Sequence, residues 1–160
     1  MRRATRTDIP AMLELHRGGS TSAWSPEHYE NLFRTDAPEL SCYYVLVIEE
    51  PCESSGVTES APTSPIVAHL VAHGVGSEWQ LQYIVVSQKS RRRGLATLLL
   101  NEFIEHARRE NAPAIFLEVR ESNQSARALY CNAGFQETGV RKGYYPSPPE
   151  DAIVYRLALS

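Results

Sequence analysis

Residues 80–107 run without a break from an apolar strand, through a basic turn, into an apolar helix. The first part, Gln80-Leu-Gln-Tyr-Ile-Val-Val86, is rich in β-branched and aromatic residues, which favour a buried strand. Gly94 then opens a segment whose apolar residues recur every three or four positions, a spacing that predicts a helix. These residues are Leu95, Leu98, Leu99, Phe103 and Ala107. The sequence therefore predicts a strand–turn–helix unit at the centre of the fold.

The turn between this strand and this helix has the composition of an anion-binding site. The start of a helix carries unpaired backbone N–H groups and a partial positive charge. Gly94 and the small Ala96 allow an anion to approach that backbone closely. Three arginines precede the glycine, namely Arg91, Arg92 and Arg93. The turn lacks the Gly-Lys-Ser/Thr of a P-loop and the additional glycines of a dinucleotide-binding turn. The alternative explanation is an arginine run on a solvated surface.

A single domain is expected, because 160 residues provide one hydrophobic core and are few for two. The formal net charge of −3 argues against direct nucleic-acid binding. The three cysteines, Cys42, Cys52 and Cys131, lack the spacing of metal ligands, so we expect free thiols, no metal and a cytoplasmic location. No apolar run approaches membrane-spanning length, and the first residues lack a signal-like apolar stretch. We therefore expect no membrane association, and we expect a monomer.

Residues 50–65 are expected to form a flexible hairpin insertion within this domain. They are rich in Pro, Ser, Thr and Glu and contain too few apolar residues to offset the entropy lost on ordering. The strand-like residues 66–73 follow at once, which favours a hairpin tip over a linker between domains.

Two residues further along combine chemical function with a predicted inward position. Glu118 lies in the apolar strand 114–119, where a carboxylate is costly unless it is paired or faces a solvated cleft. A salt bridge with Arg120 or a neighbour is the structural alternative. Tyr130 lies on the inward face of the next helix, which Ser122 or Asn123 caps. It is either a core residue with a hydrogen-bonded hydroxyl or a proton donor.

Strands and helices alternate through the middle of the chain, which then ends in a hairpin of residues 135–143 and 151–159. This order predicts an α/β (α+β) domain with a mixed sheet. In such sheets, ligands bind where neighbouring strands diverge, beyond their carboxyl ends. Val86 and Glu118 both lie at strand ends of this kind, so the sequence places a candidate site between them.

From Tyr83 onward, the sequence resembles the bacterial ribosomal-protein alanine N-acetyltransferases, a branch of the GNAT superfamily. The segments that carry the resemblance are Ile84-Val-Val86, Arg91-Arg-Arg-Gly-Leu-Ala96, Leu117-Glu-Val-Arg-Glu-Ser-Asn123, Ala128-Leu-Tyr130, Gly134-Phe135 and Arg141-Lys-Gly-Tyr-Tyr-Pro146 with Glu150-Asp-Ala152. Their order and spacing agree with the family over about half the chain. The resemblance implies a single GNAT-type domain in which a mixed central sheet with splayed central strands is flanked by helices.

The same resemblance implies acetyl transfer from acetyl-CoA, as co-substrate, to the N-terminal α-amine of a protein or peptide, with the N-terminal alanine of a small-subunit ribosomal protein as the expected acceptor. It assigns Glu118 as general base and Tyr130 as general acid. The implied cofactor contacts are Ile84, Val85, Val86, Arg91, Arg92, Arg93, Gly94, Leu95, Ala96, Thr97 and Asn123. The implied acceptor contacts are Trp24, Tyr144 and Tyr145. Two alternatives stay open: a lysine or small-molecule amine as acceptor, and a non-catalytic module that senses coenzyme A.

Overall fold

One seven-stranded sheet forms the centre of the computed structural model, which describes residues 1–19, 25–33, 41–50 and 65–159. The strands within these residues are β1 (Arg2–Arg3), β2 (Ser41–Glu49), β3 (Ile66–Val75), β4 (Glu78–Val86), β5 (Ala114–Arg120), β6 (Gln136–Pro146) and β7 (Pro149–Ala158). The helices are α1 (Ile9–Gly19), α2 (Pro26–Asn31), α3 (Leu95–Arg109) and α4 (Gln124–Asn132). Short 3-10 turns at Arg6–Asp8 and Gln88–Ser90 precede α1 and α3.

The strand order is β1-β2-β3-β4-β5-β7-β6, and all neighbours are antiparallel except β4 and β5. The parallel pair is joined through α3, as a parallel connection requires. The predicted mixed sheet with flanking helices is therefore confirmed.

Two hydrophobic layers cover the two faces of the sheet. On one face, α3 and α4 pack over a large cluster that includes Leu81, Leu117 and Phe103. On the other face, α1 and α2 cover a smaller cluster that includes Met12 and Tyr29. Because both faces are covered, the central strands consist largely of apolar residues, as the sequence indicates.

The buried face of α3 differs from the prediction at one position. Leu98 is 49% exposed, whereas the buried residues of the helix are Leu99, Leu100, Phe103, Ile104 and Ala107. The apolar stripe is thus shifted by part of a turn, because Leu100 and Ile104, not Leu98, face the sheet. Periodicity alone does not distinguish these neighbouring stripes.

The final hairpin is longer than predicted. Residues 144–149 were expected to connect the strands, but Tyr145 pairs with Glu150 and Pro146 with Pro149. The strands therefore extend almost to the turn, and Tyr144 and Tyr145 lie on β6 itself. A register shift between Arg141 and Tyr145 accommodates the extra residues.

Two predicted features lie outside the described residues. Trp24 is one of them, and the other is the insertion at 50–65 except for its end residues Glu50 and Pro65. Ser25 is described and is the N-cap residue of α2, with Pro26 in the first turn, where proline is favoured.

One histidine of β3 is buried on the face of the sheet that α1 covers. His69 is fully buried, and its Nε2 lies 3.2 Å from the hydroxyl of Tyr29. The rings of Tyr83 and His16 lie 5.4 and 6.5 Å from it, centroid to centroid. Burial, with a smaller contribution from His16, lowers the pKa of His69 from 6.5 to about 3. The folded protein therefore keeps this imidazole neutral in weak acid.

The free energy of unfolding should fall as the pH drops below 6.5, by about 1.4 kcal/mol per pH unit from this one histidine. Below pH 6.5 the unfolded chain binds a proton that the folded protein does not bind, so acid favours unfolding. Urea denaturation at pH 7.5 and pH 5 measures the difference. In His69→Gln that difference should shrink by about 2 kcal/mol, and an unchanged difference would assign the acid sensitivity to other groups.

Candidate active site

The pairing of β4 with β5 ends at Leu81 and Leu117, although both strands continue. Beyond this point, β4 stays paired with β3 as far as Val86, and β5 stays paired with β7 as far as Arg120. Each strand therefore follows its other neighbour, and the two separate. Within the described part of the chain, no ladder joins β5 to β4 between Gln82 and Val86, so backbone polar groups of β4 face the gap. The predicted splay of the central strands is confirmed.

A bulge in β4 lies where this separation begins. Val71 pairs with Tyr83 and Ala72 with Leu81, which leaves Gln82 as an extra residue. The bulge reverses the alternation of the strand: Leu81 packs in the α3 layer, whereas Tyr83 packs in the α1 layer. A bulge also bends its strand, which explains why β4 leaves β5 here. The sequence analysis did not predict this bulge.

The turn after β4 has the geometry that an anion requires. Gly94 is the N-cap residue of α3 with φ +78°, and no side chain caps the helix or places an acid in its first turn. A Cβ at Gly94 would meet nothing within 4 Å, so the glycine is needed for its backbone conformation and the space before it is open. The backbone amides of Leu95, Ala96 and Thr97 begin the helix at this point. The turn therefore fits a phosphate group.

The three arginines of the turn occupy different environments. Arg91 Nε donates a hydrogen bond to the carbonyl oxygen of Val86 (3.3 Å), and Arg93 forms an ion pair with Glu50 at 2.6 Å. Arg92 has φ +61° and forms no ion pair with a described residue. The three arginines therefore do not form a uniform solvated face. Arg91 contacts the end of β4, and Arg93 contacts Glu50 directly after β2.

Glu118 lies on β5 just beyond the last residue paired with β4, and its side chain is 14% exposed. Gln80 Nε2 donates to its Oε2 at 2.8 Å, and Arg141 Nη1 donates to its Oε1 at 2.9 Å. The sequence-based alternative of a salt bridge is thus present, but with Arg141. Arg120 pairs instead with Glu150 at 3.0 Å, so the expectation for Arg120 was wrong. Side chains alternate along a strand, so residues 118 and 120 share a face while Arg120 is directed to the final hairpin.

Tyr130 is buried on α4, with ring centroids 5.8 Å from Phe135 and 6.3 Å from Tyr155. Burial, together with the nearby phenol of Tyr145, raises the pKa of Tyr130. Burial also raises the pKa of Tyr145, and the charge of Glu118 adds to this increase. Tyr145 therefore interacts electrostatically with both predicted catalytic residues, which lie on opposite faces of the sheet.

The two aromatics of the final hairpin form a wall beside Glu118. The rings of Tyr144 and Tyr145 meet edge to face at 5.1 Å. Arg120 lies 4.1 Å from the centroid of Tyr145, and Arg141 lies 5.3 Å from that of Tyr144. Tyr144 remains 45% exposed, so the wall is open to solvent on one side. Trp24, the predicted opposite wall, lies outside the described residues.

Asn123 is the N-cap residue of α4, as predicted. Its Oδ1 accepts hydrogen bonds from Ala126 N at 3.2 Å and Ser125 Oγ at 3.1 Å. Its Nδ2 has no hydrogen-bond partner among the described residues.

Two polar residues of the site, Gln80 and Arg141, are not evident from the sequence alone. Arg141 stands in a segment that carries the family resemblance, but nothing in the sequence indicates that its side chain reaches Glu118. Gln80 precedes the bulge and is one of several polar residues alternating along β4. Both contacts depend on strand register, which a single sequence does not supply.

The described ranges contain no cluster of three or more side chains suited to hold a metal ion. Within the same ranges, no helix has the length and apolar character needed to cross a membrane.

Comparison with known proteins gives a consistent result. The Acetyltransferase (GNAT) family matches residues 9–135. The [Ribosomal protein bS18]-alanine N-acetyltransferase of Escherichia coli (strain K12) is 29% identical over 156 residues, which cover 96% of this chain and 93% of the relative. The crystal structure of the E. coli ribosomal-protein-S18-alanine N-acetyltransferase has a TM-score of 0.78 at 27% identity, covering 99% of this chain and 92% of that one. Arabidopsis thaliana NAA60 in complex with acetyl-CoA shares the fold, with a TM-score of 0.82 at 15% identity over 99% and 97% of the two chains.

The splayed sheet, the uncapped glycine turn and the family match together define a GNAT acetyltransferase fold. The chain belongs to the GNAT family and is an acetyl-CoA-dependent N-acetyltransferase.

Ala96→Glu should weaken coenzyme A binding by about tenfold or more while leaving thermal stability equal or slightly higher. A carboxylate in the first turn of α3 interacts favourably with the helix dipole and stabilises the helix by about 0.3–1 kcal/mol. The same carboxylate repels a pyrophosphate bound at these amides. Isothermal calorimetry and thermal unfolding measure the two effects. Asn101→Glu adds the same charge further along the helix and should leave affinity unchanged. Equal affinity in Ala96→Glu and Asn101→Glu would place the pyrophosphate elsewhere.

Proposed function

We propose that this protein transfers the acetyl group of acetyl-CoA to the α-amine at the N-terminus of a protein, and that the physiological acceptor is the N-terminal alanine of a small-subunit ribosomal protein. The observation that carries the proposal is the gap between β4 and β5, with Glu118 at its edge and Tyr130 buried nearby. The names of the relatives support the choice of acceptor.

The cofactor occupies the gap in this proposal. Ile84, Val85 and Val86 pair through their backbone with the pantetheine arm, as an added strand would. The pyrophosphate lies at the start of α3, against Arg91, Arg92, Arg93, Gly94, Leu95, Ala96 and Thr97. Asn123, the N-cap residue of α4, contacts the cofactor near its thioester end.

Glu118 is the proposed general base. An α-amine has a pKa of about 8, so much of it is protonated at neutral pH and a base must generate the nucleophile. The carboxylate receives this proton through a water molecule, which agrees with its limited exposure and its position beyond the last paired residue.

Tyr130 is the proposed general acid. The phenol carries its proton at physiological pH, because burial raises its pKa further above the ordinary value. The amine nitrogen attacks the thioester carbonyl carbon, a C–N bond forms and the C–S bond breaks. The first proton of the ammonium passes to Glu118 and leaves the free amine. The second leaves the nitrogen for solvent as the amide forms, and the departing sulfur takes the proton of Tyr130. Exchange with solvent restores both residues, and the products are the acetylated amine and coenzyme A. No covalent enzyme intermediate is required.

The acceptor enters along Tyr144 and Tyr145 in this proposal, with Trp24 opposite. The exposed aromatic wall beside Glu118 supports this route, because an extended peptide end packs well on open aromatic rings. We propose that the enzyme works as a monomer in the cytoplasm, consistent with the free thiols of the exposed Cys42 and Cys131.

A peptide panel tests the choice of acceptor. The purified protein is incubated with acetyl-CoA and peptides that vary only in their first two residues, each with an internal lysine, and the products are mapped by mass spectrometry. Acetylation should fall on the α-amine, with the highest kcat/KM for alanine-initiated peptides. Acetylation of lysine ε-amines with untouched α-amines would contradict the proposal, and binding of coenzyme A without any transfer would indicate a sensor.

Substitution of the two proposed catalytic residues tests the mechanism. Glu118→Gln should lower kcat by on the order of a hundredfold, because it removes the base but keeps the side-chain shape. Tyr130→Phe should slow transfer while the fold is retained. Stopped assays of coenzyme A release and thermal unfolding measure both effects. Wild-type turnover in Glu118→Gln would remove that residue from the mechanism, and unfolding of Tyr130→Phe would assign Tyr130 to the core.

A further inference from the structure

The carboxylate of Glu118 accepts hydrogen bonds from two side chains on other strands. Neither side chain has a role in the mechanism described so far. Gln80 comes from β4 and Arg141 from β6, and each donates to a different carboxylate oxygen. The base therefore has a fixed position relative to both edges of the gap.

Gln80 bridges the two diverging strands. In the parallel register it lies opposite Phe116, and Glu118 is the next residue of β5 on the same face. The hydrogen bond from Gln80 Nε2 to Glu118 Oε2 thus runs past the last backbone pair, Leu81–Leu117, into the start of the gap. This side-chain hydrogen bond connects the two strands at a point where their backbone hydrogen bonds have ended.

Arg141 reaches the same carboxylate from across the sheet. It pairs with Ala152 of β7, which in turn pairs with Arg120 of β5, so its side chain crosses β7 to reach Glu118 Oε1. The Arg141 side chain is 56% exposed and lies over the ring of Tyr144. The guanidinium therefore stands on the open side of the carboxylate, beside the aromatic wall.

A partly buried carboxylate needs compensation for the water it has lost. Two hydrogen-bond donors, one on each carboxylate oxygen, supply this compensation and restrict rotation of the carboxylate plane. Each oxygen keeps a second lone pair for the water or amine that delivers the proton. A guanidinium presents rigid, directed donors, whereas a lysine offers a mobile point charge.

We propose that Gln80 and Arg141 are positioning residues that form a two-donor clamp on Glu118 and set its geometry for proton removal from the acceptor amine. This role rests on the proposed function of Glu118 as general base. The clamp acts through Glu118 alone, so its contribution to turnover exists only while that carboxylate is present.

A double-mutant cycle tests the clamp. Arg141→Gln and Gln80→Leu should each lower kcat by about tenfold, in keeping with the cost of misplacing a catalytic group. In the Glu118→Gln background, neither substitution should reduce kcat further, because the group that it positions is already lost. Arg141→Lys should restore part of the activity. Calorimetric affinity for coenzyme A and the thermal midpoint should stay close to wild type throughout. Arg109→Gln removes an exposed arginine that pairs with Glu102 at the end of α3, and it should be neutral.

Wild-type kcat in both Arg141→Gln and Gln80→Leu, with Glu118→Gln impaired, would overturn the clamp and leave the proposed base intact. An equal further loss in the Glu118→Gln background would also overturn it, because the residues would then act independently of Glu118. Wild-type kcat in Glu118→Gln would overturn the base and the clamp together.

Discussion

The parallel ladder between β4 and β5 stops at Leu81–Leu117, and the rest of the site depends on that interruption. Apart from the bulge at Gln82, both strands remain paired on their outer sides, so their separation costs few hydrogen bonds elsewhere in the sheet. The bulge at Gln82 bends β4 at this point and leaves backbone groups directed into the gap. A continuous ladder would satisfy those groups and leave no place for an extended ligand.

Different interactions serve the two ends of the gap. At the end of β4, the uncapped start of α3 offers backbone amides, with Gly94 in a left-handed conformation and Arg92 free of ion pairs with described residues. Near the last paired residues, the carboxylate of Glu118 and the phenol of Tyr130 lie on opposite faces of the sheet, and each interacts electrostatically with Tyr145. A thioester with a charged tail matches this division, because its phosphates and its reactive carbon require different environments.

The sequence predicts much of this arrangement because local patterns determine much of it. The strand–turn–helix unit, the Asn123 cap and the alternation that directs Glu118 away from the Leu117 layer all follow from periodicity and capping rules. The bulge, the exposed Leu98 and the extension of the final hairpin do not follow from those rules. They depend on which strands pair and in what register, so the contacts of Glu118 with Gln80 and Arg141 are visible only in three dimensions.

Amide hydrogen exchange along β4, measured with and without coenzyme A, tests the central claim most directly. The amides of residues 82–86 that face β5 should exchange quickly in the free protein and become protected when coenzyme A binds. Those facing β3 are already in a ladder and should change little. Protection confined to the start of α3, with no change along β4, would show that the cofactor does not lie in the gap and would contradict the account.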